Sequence, residues 1–282
     1  MRISVRAHAK INWSLSILGL LPDGYHELDM LMQSLELSDE LIFEPARWLS
    51  LSVNGQTLPV GGRNLIIKAA NALNEAVGER HGARIQLKKH IPIRAGLGGG
   101  SADCAVTLLT LNQLWGLHLP MERLLAIGRT LGADVPFCML GGLARVGGVG
   151  EKLSPMEGAP SIPLAMVTPG GGLSTPAVFK AWDEGGYPIV PVDMPGLADA
   201  LIRGDLERAQ AFSFNSLEAP AIALMPEIGE MIERFRSFGA RMVRMTGSGS
   251  TVFAAFDTDE QAAAAAAKIP GAIATRTRGG DA

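Results

Sequence analysis

The chain has 282 residues, 47% of them hydrophobic and 19% charged, which is enough apolar surface for one large or two ordinary cores and describes a folded soluble protein. A formal net charge of -3 leaves no basic stripe, so neither nucleic acid nor an acidic membrane is an expected partner, and a basic residue meeting a phosphate must act locally. Met1 to Lys10 lacks an apolar signal core and no stretch reaches about 18 apolar residues, which predicts a cytoplasmic protein.

From Lys10 to Leu18 apolar and polar residues alternate, with Ile11, Trp13, Leu15 and Ile17 on one face and Lys10, Asn12, Ser14 and Ser16 on the other. The pattern predicts a strand on which Lys10 and Asn12 point the same way, and a solvated polar face is its plainer reading. Leu21-Pro22-Asp23-Gly24 marks a turn that delivers Tyr25 and His26 at its exit. An aromatic beside an imidazole suits a planar ligand, although such a pair in a loop is more often incidental. Between Leu28 and Phe43 two short strands are expected, joined by a turn at Leu37-Ser38-Asp39-Glu40. Asn64 is placed to cap a helix carried by Leu65, Ala69, Leu73 and Ala76, and a half-buried strand follows over 84–89.

Ile91 to Ala105 reads Ile-Pro-Ile-Arg-Ala-Gly-Leu-Gly-Gly-Gly-Ser-Ala-Asp-Cys-Ala. Gly96, Gly98, Gly99 and Gly100 allow backbone N–H groups to turn toward an anion. Ser101, Ala102, Ala105, Val106 and Leu109 keep helical spacing, so the loop empties into a helix N-terminus, where unpaired amides and the positive dipole end suit phosphate. No Lys follows the glycines as a P-loop requires, and no second strand follows the helix as a dinucleotide fold requires. A ligand-free glycine turn is the bland alternative. Cys104 falls inside this helix and reads as core, and with Cys138 it fits neither a disulfide framework nor a metal spacing.

Pro120 opens another helix through Leu124, Leu125, Gly128 and Leu131, which Gly132 ends. Asp134 follows among apolar neighbours, where an acid must be capped, paired or functional; N-capping a short helix is the simplest of these. Glu151 to Pro160 reads as a loop holding a domain boundary, which divides the chain into 1–153 and 154–282. A strand over 164–167 then leads through Pro169-Gly170-Gly171-Gly172 to a helix with Thr175 as N-cap, Pro176 at N1 and Phe179 one turn on. An amphipathic helix over 227–238 precedes a strand, the loop Thr246-Gly247-Ser248-Gly249-Ser250 and a second strand, for which a hairpin turn is the plain reading. Thr258 and Gln261 form a capping box ahead of an alanine helix, and Ala272 to Thr275 is a last strand. Helices alternating with strands here suggest an α+β sandwich.

Four separated segments, Ala9-Lys10-Ile11-Asn12 with Asp23-Gly24-Tyr25-His26, Pro92 to Ala102, Leu131 to Pro136, and Met245 to Ser250, together resemble the GHMP small-molecule kinases, nearly end to end. The run Gly98-Gly99-Gly100-Ser101 and Asp23-Gly24-Tyr25-His26 are most similar to the branch that acts on 4-diphosphocytidyl-2-C-methyl-D-erythritol. His8 and Ala102 depart from it, standing where Pro and a second Ser are common.

The resemblance implies an α+β, two-domain GHMP kinase fold: an N-terminal ribosomal-protein-S5-like α/β domain and a C-terminal ferredoxin-like α/β sandwich. It implies ATP with Mg²⁺ as co-substrate, the metal ligands unassigned, and phosphorylation of the 2-hydroxyl of the cytidine diphosphate-linked methylerythritol by a monomer or weak homodimer. Lys10 and Asp134 are the implied catalytic residues. Pro92, Ile93, Arg94, Ala95, Gly96, Leu97, Gly98, Gly99, Gly100, Ser101 and Ala102 would wrap the ATP phosphates. Asn12, Tyr25, His26, Thr175 and Phe179 would bind the substrate, with Tyr25 and Phe179 stacking on cytosine. Another GHMP kinase, acting on homoserine, mevalonate or a sugar, and a non-catalytic nucleotide binder remain the alternatives.

Overall fold

The computed structural model describes residues 2–54 and 58–279. Two compact units share the chain, one made of residues up to Ala9, Leu37–Ile91 and Gly98–Leu140, the other of Lys10–Glu36, Pro92–Leu97 and residues from Gly141 onward. Each unit is therefore assembled from several stretches of sequence, and two long strands, β1 (Ile3–Leu20) and β2 (His26–Ala46), contribute to both. Strand β2 corrects the two-strand expectation. The supposed turn at Leu37 to Glu40 is extended backbone, because Asp39 is fully buried and its carboxylate is held by Lys89.

In the first unit the end of β2 pairs antiparallel with β4 (Gly82–Lys88), Phe43 opposite Ile85, and β3 (Ser50–Asn54) lies parallel on β4. Helices α1 (Leu65–Val77), α2 (Gly99–Leu114), α3 (Met121–Leu131) and α4 (Val135–Leu140) complete it. Leu41, Phe43, Ile85, Leu87, Leu73 and Leu108 meet in its core. Helix α1 starts where the sequence places it, since the Asn64 side chain accepts the Ile66 amide proton and satisfies one of the open N–H groups of the first turn.

In the second unit the start of β2 pairs with β5 (Leu143–Gly148), and β5 with β6 (Lys152–Met156). Strand β6 occupies much of the segment expected to be a loop; it is an edge strand, the position in a sheet at which a proline such as Pro155 is tolerated. A second, four-stranded antiparallel sheet orders β10 (Ile273–Arg276), β7 (Pro163–Val167), β9 (Val252–Ala255) and β8 (Met242–Met245). Helix α5 (Thr175–Gly185) follows β7, and α9 (Glu227–Ser237) and α10 (Asp259–Ala267) pack on the antiparallel sheet. Between them lie three helices that the sequence pattern did not suggest, α6 (Met194–Ile202), α7 (Leu206–Phe212) and α8 (Glu218–Leu224). The capping box at Thr258 and Gln261 is formed in full. Among the described residues no helix is long and apolar enough to cross a membrane.

Candidate active site

Strand β1 carries the first candidate residues. Lys10 and Asn12 do share a face, but that face is buried rather than solvated: Lys10 is 4% and Asn12 2% exposed. Burial obliges each polar group to find a partner. Lys10 Nζ donates to Asn12 Oδ1 at 2.8 Å, and the Asn12 backbone N–H donates to Thr246 Oγ1 at 2.8 Å. The Lys10 backbone N–H donates to the Leu97 carbonyl at 3.0 Å, which seats the approach to the glycine loop alongside the strand. Three of the four sequence motifs thus meet within the second unit.

Gly96 is the tightest point of that meeting. Its φ of +75° is left-handed, and a Cβ there would lie 2.5 Å from the Thr246 carbonyl oxygen, so both conformation and space demand glycine. The segment Thr246–Ser250 connects the antiparallel strands β8 and β9, so the hairpin reading is met. Asn215, which sequence reasoning missed, braces this segment by donating to the carbonyls of Met245 and Gly247 at 2.8 and 3.0 Å. A cavity of about 380 Å³ is lined by Arg94, Gly96, Gly172, Ser174, Thr175 and Gly249. Arg94 is exposed at its wall with a left-handed φ of 56°, and Pro92, Ile93 and Ala95 build the same segment.

Helix α5 shifts by one residue from expectation. Ser174 is the N-cap and Thr175 the first helical residue, which leaves the Thr175 hydroxyl available to lie 2.7 Å from Ser248 Oγ. One turn on, the Phe179 ring sits 4.7 Å from the His26 ring at a tilt of 32°, and Trp182 meets His26 edge-on at 5.7 Å. Asp183 Oδ1, also missed from the sequence, is 2.7 Å from His26 Nε2 and so commits that nitrogen to a protein partner. Tyr25 is 65% exposed and makes no ring contact among the described residues. The structure therefore brings Phe179 and His26 together and leaves Tyr25 projecting into solvent.

In the first unit Gly98, with φ of +68°, is the N-cap of α2, and Gly99, Gly100, Ser101 and Ala102 form its first turn. The leading amides of such a turn have no partner inside the helix and can face an anion. Asp134 is half-buried directly before α4, and its carbonyl accepts the Cys138 amide proton at 3.0 Å, as an N-cap residue's does. The turn before it approaches α2 closely enough that a Cβ on Gly132 would lie 3.7 Å from Ser101 Oγ.

Under the same first turn lies a buried charge cluster. Lys89 Nζ is 2.5 Å from Asp39 Oδ2 and 2.7 Å from Asp103 Oδ2. Burial, opposed by Lys89 and assisted by Asp39, pushes the Asp103 carboxyl up from 3.8 to about 7. Burial likewise pushes the Cys104 thiol up to about 12, consistent with a core residue. The rule that an acid among apolar neighbours needs a partner, applied to Asp134, would have found Asp103 as well, whereas Asp39, between Ser38 and Glu40, gives no such local signal. Among the described residues no three His, Cys, Asp or Glu side chains come together to cage a metal.

Residues 64–142 match the family described as GHMP kinases N terminal domain, and residues 197–274 match GHMP kinases C terminal. The chain is 43% identical over 255 residues to a 4-diphosphocytidyl-2-C-methyl-D-erythritol kinase of Pelotomaculum thermopropionicum, covering 90% of this chain and 88% of the relative. A protein of the same name from Moorella thermoacetica is 40% identical over 282 residues, covering 98% and 99% of the two chains. The crystal structure of a 4-(cytidine 5'-diphospho)-2C-methyl-D-erythritol kinase superposes with a TM-score of 0.86 at 39% identity, covering 99% of this chain and all of that one. The chain belongs to the GHMP kinase family, on the branch that these relatives represent.

Proposed function

We propose that this protein is the ATP-dependent kinase that phosphorylates the 2-hydroxyl of 4-diphosphocytidyl-2-C-methyl-D-erythritol, a step in the non-mevalonate route to isoprenoid precursors. The observation that carries this reading is the end-to-end likeness to relatives of that name. The aromatic and imidazole groups at Phe179 and His26 suit a cytosine, which homoserine, mevalonate and simple sugars lack.

Phosphoryl transfer through a loose transition state asks the protein mainly to position the reactants and stabilise spread-out charge. Residues 92–102 supply main-chain amides for the ATP phosphates. Asp134 accepts the proton of the 2-hydroxyl as the γ-phosphoryl group arrives, and Lys10, held by Asn12, offsets negative charge around that group. Phe179 and the exposed Tyr25 take the two faces of the cytosine, and His26 offers its edge the ring nitrogen that Asp183 does not occupy. Thr175, tied to Ser248, positions the substrate from the start of α5. Mg²⁺ would supply charge neutralisation on the nucleotide, with phosphate oxygens and water as its main ligands. The same reading takes 1–153 and 154–282 as the two domains, of a cytoplasmic monomer or weak homodimer.

The experiment is ADP release from ATP and Mg²⁺ in the presence of a panel of alcohols with and without a cytidine diphosphate group. Release confined to the diphosphocytidyl methylerythritol supports the proposal; equal or greater release with homoserine, mevalonate or a sugar overturns it.

A further inference from the structure

We propose that Asp39, Lys89 and Asp103 form a buried latch that fixes the two ends of the glycine loop, which makes Lys89 and Asp103 positioning residues for ATP. The inference rests on the reading that residues 92–102 hold the nucleotide phosphates. Asp39 comes from the middle of β2, Lys89 from the residue after β4, and Asp103 from the second turn of α2.

At the loop entrance, Asp39 Oδ1 accepts the backbone amides of His90 and Ile91 at 2.6 and 2.8 Å. Its other oxygen accepts from Lys89 Nζ, and Lys89 crosses to Asp103 Oδ2 at the exit, where α2 begins. A single ammonium thus joins the strand that delivers the loop to the helix that receives it. The fit is close: a Cβ on Gly99 would lie 2.9 Å from Ile91 Cγ2 and 3.1 Å from Lys89 Nζ. A side chain at α2's first position would press on Ile91 and on the Lys89 ammonium beneath it.

The energetics argue that the latch exists for geometry. Lys89 is 6%, Asp39 0% and Asp103 4% exposed, so three ionisable groups have been taken out of water. Desolvation of that kind generally offsets the Coulombic gain, and apolar residues of similar volume would hold the fold as well or better. Among the described residues Asp103 Oδ1 in addition has no hydrogen-bond partner, a cost with no return in stability. What the charged set does supply is direction: two carboxylates and three donors fix where the amides of 90, 91 and the first turn of α2 point. Amides that must meet a transferring phosphoryl group act through that preorganisation, and a misplacement of about 1 Å costs roughly 10² in rate.

The test is Lys89→Met/Asp103→Leu, which removes the bridge while filling its volume, assayed beside wild type for both substrates and for thermal unfolding. The expected result is a folded protein with KM for ATP raised about tenfold and kcat lowered by a similar factor, while KM for the cytidine diphosphate substrate stays within about twofold. A folded variant with wild-type ATP parameters, or with both KM values moved equally, overturns the latch. Asp103→Asn, which keeps shape and the contact to Lys89, covers the case in which the double variant does not fold. It is expected to raise KM for ATP about threefold with little change in unfolding temperature, and an unchanged KM overturns the proposal. A wild type that releases no ADP would instead refute the kinase reading itself.

Discussion

Asp39–Lys89–Asp103 in the first unit and His26–Asp183 in the second are both close acid–base contacts, at 2.5 to 2.7 Å, but they live in different solvents. The side chains of the first set are at most 5% exposed, whereas Asp183 is 43% exposed and His26 10%. A buried ion set cannot exchange its partners for water or ligand without a large penalty, so it holds backbone. A pair with one partner, Asp183, open to solvent is worth less to the fold and leaves an imidazole edge for recognition. Similar distances therefore serve opposite purposes, and burial decides which.

The contrast breaks most visibly at Lys89. Lys89→Ala strands two buried carboxylates, and chemical denaturation is expected to show a loss of about 3–5 kcal/mol; a loss below about 1 kcal/mol would erase the distinction between the two sets. Next in size is the chemistry proposed for the turn before α4: Asp134→Asn should leave stability near wild type and lower kcat by about 10² or more, and a near-normal rate would remove Asp134 from the reaction. On the solvent-open side, Phe179→Ala should weaken the cytidine diphosphate substrate by about 1 kcal/mol, read as KM, with ATP unaffected; equal effects on both substrates would count against a cytosine clamp. Asp183→Ala should change folding stability by less than about 1 kcal/mol, while KM for the cytidine diphosphate substrate rises, and a large loss of stability would place it with the buried set.

The smallest effect is a pH slope. The folded protein holds the Asp103 proton up to about 7, whereas an ordinary carboxyl releases it near 3.8, so the folded state binds the extra proton between those values. That group's contribution to stability is full below about 3.8, falls as pH rises through the window, and is level above about 7. Asp103→Asn should flatten that fall in a set of unfolding curves, and an unchanged slope would assign the proton elsewhere.

Local rules made much of this fold readable. The alternation of β1, the Asn64 cap, the Thr258–Gln261 capping box and the glycine loop running into α2 are all decided by neighbours within a few residues. What failed was decided from afar. Asp39 and Glu40 looked like a turn because nothing nearby neutralises Asp39, whose partner Lys89 is fifty residues on. Strand β6 lies where a loop was expected, and its Pro155 is tolerated because the strand is at the edge of the sheet. Helices α6 and α7 are short and start from Asp193 and Asp205 caps that carry little weight without a long apolar period behind them. For the site, Lys10 and Asn12 were legible as one strand face, but its burial, the brace from Asn215 and the Asp183 contact depend on segments up to 234 residues away.

The central claim is that this chain moves the γ-phosphoryl group of ATP to one hydroxyl of a cytidine diphosphate-linked tetrol. Phosphorus NMR of a reaction containing the purified protein, ATP, Mg²⁺ and 4-diphosphocytidyl-2-C-methyl-D-erythritol tests it most directly. The account predicts ADP and a new phosphomonoester on the 2-hydroxyl in equal amounts, with the diphosphate linkage intact; ADP accompanied only by inorganic phosphate, or no turnover at all, would contradict it.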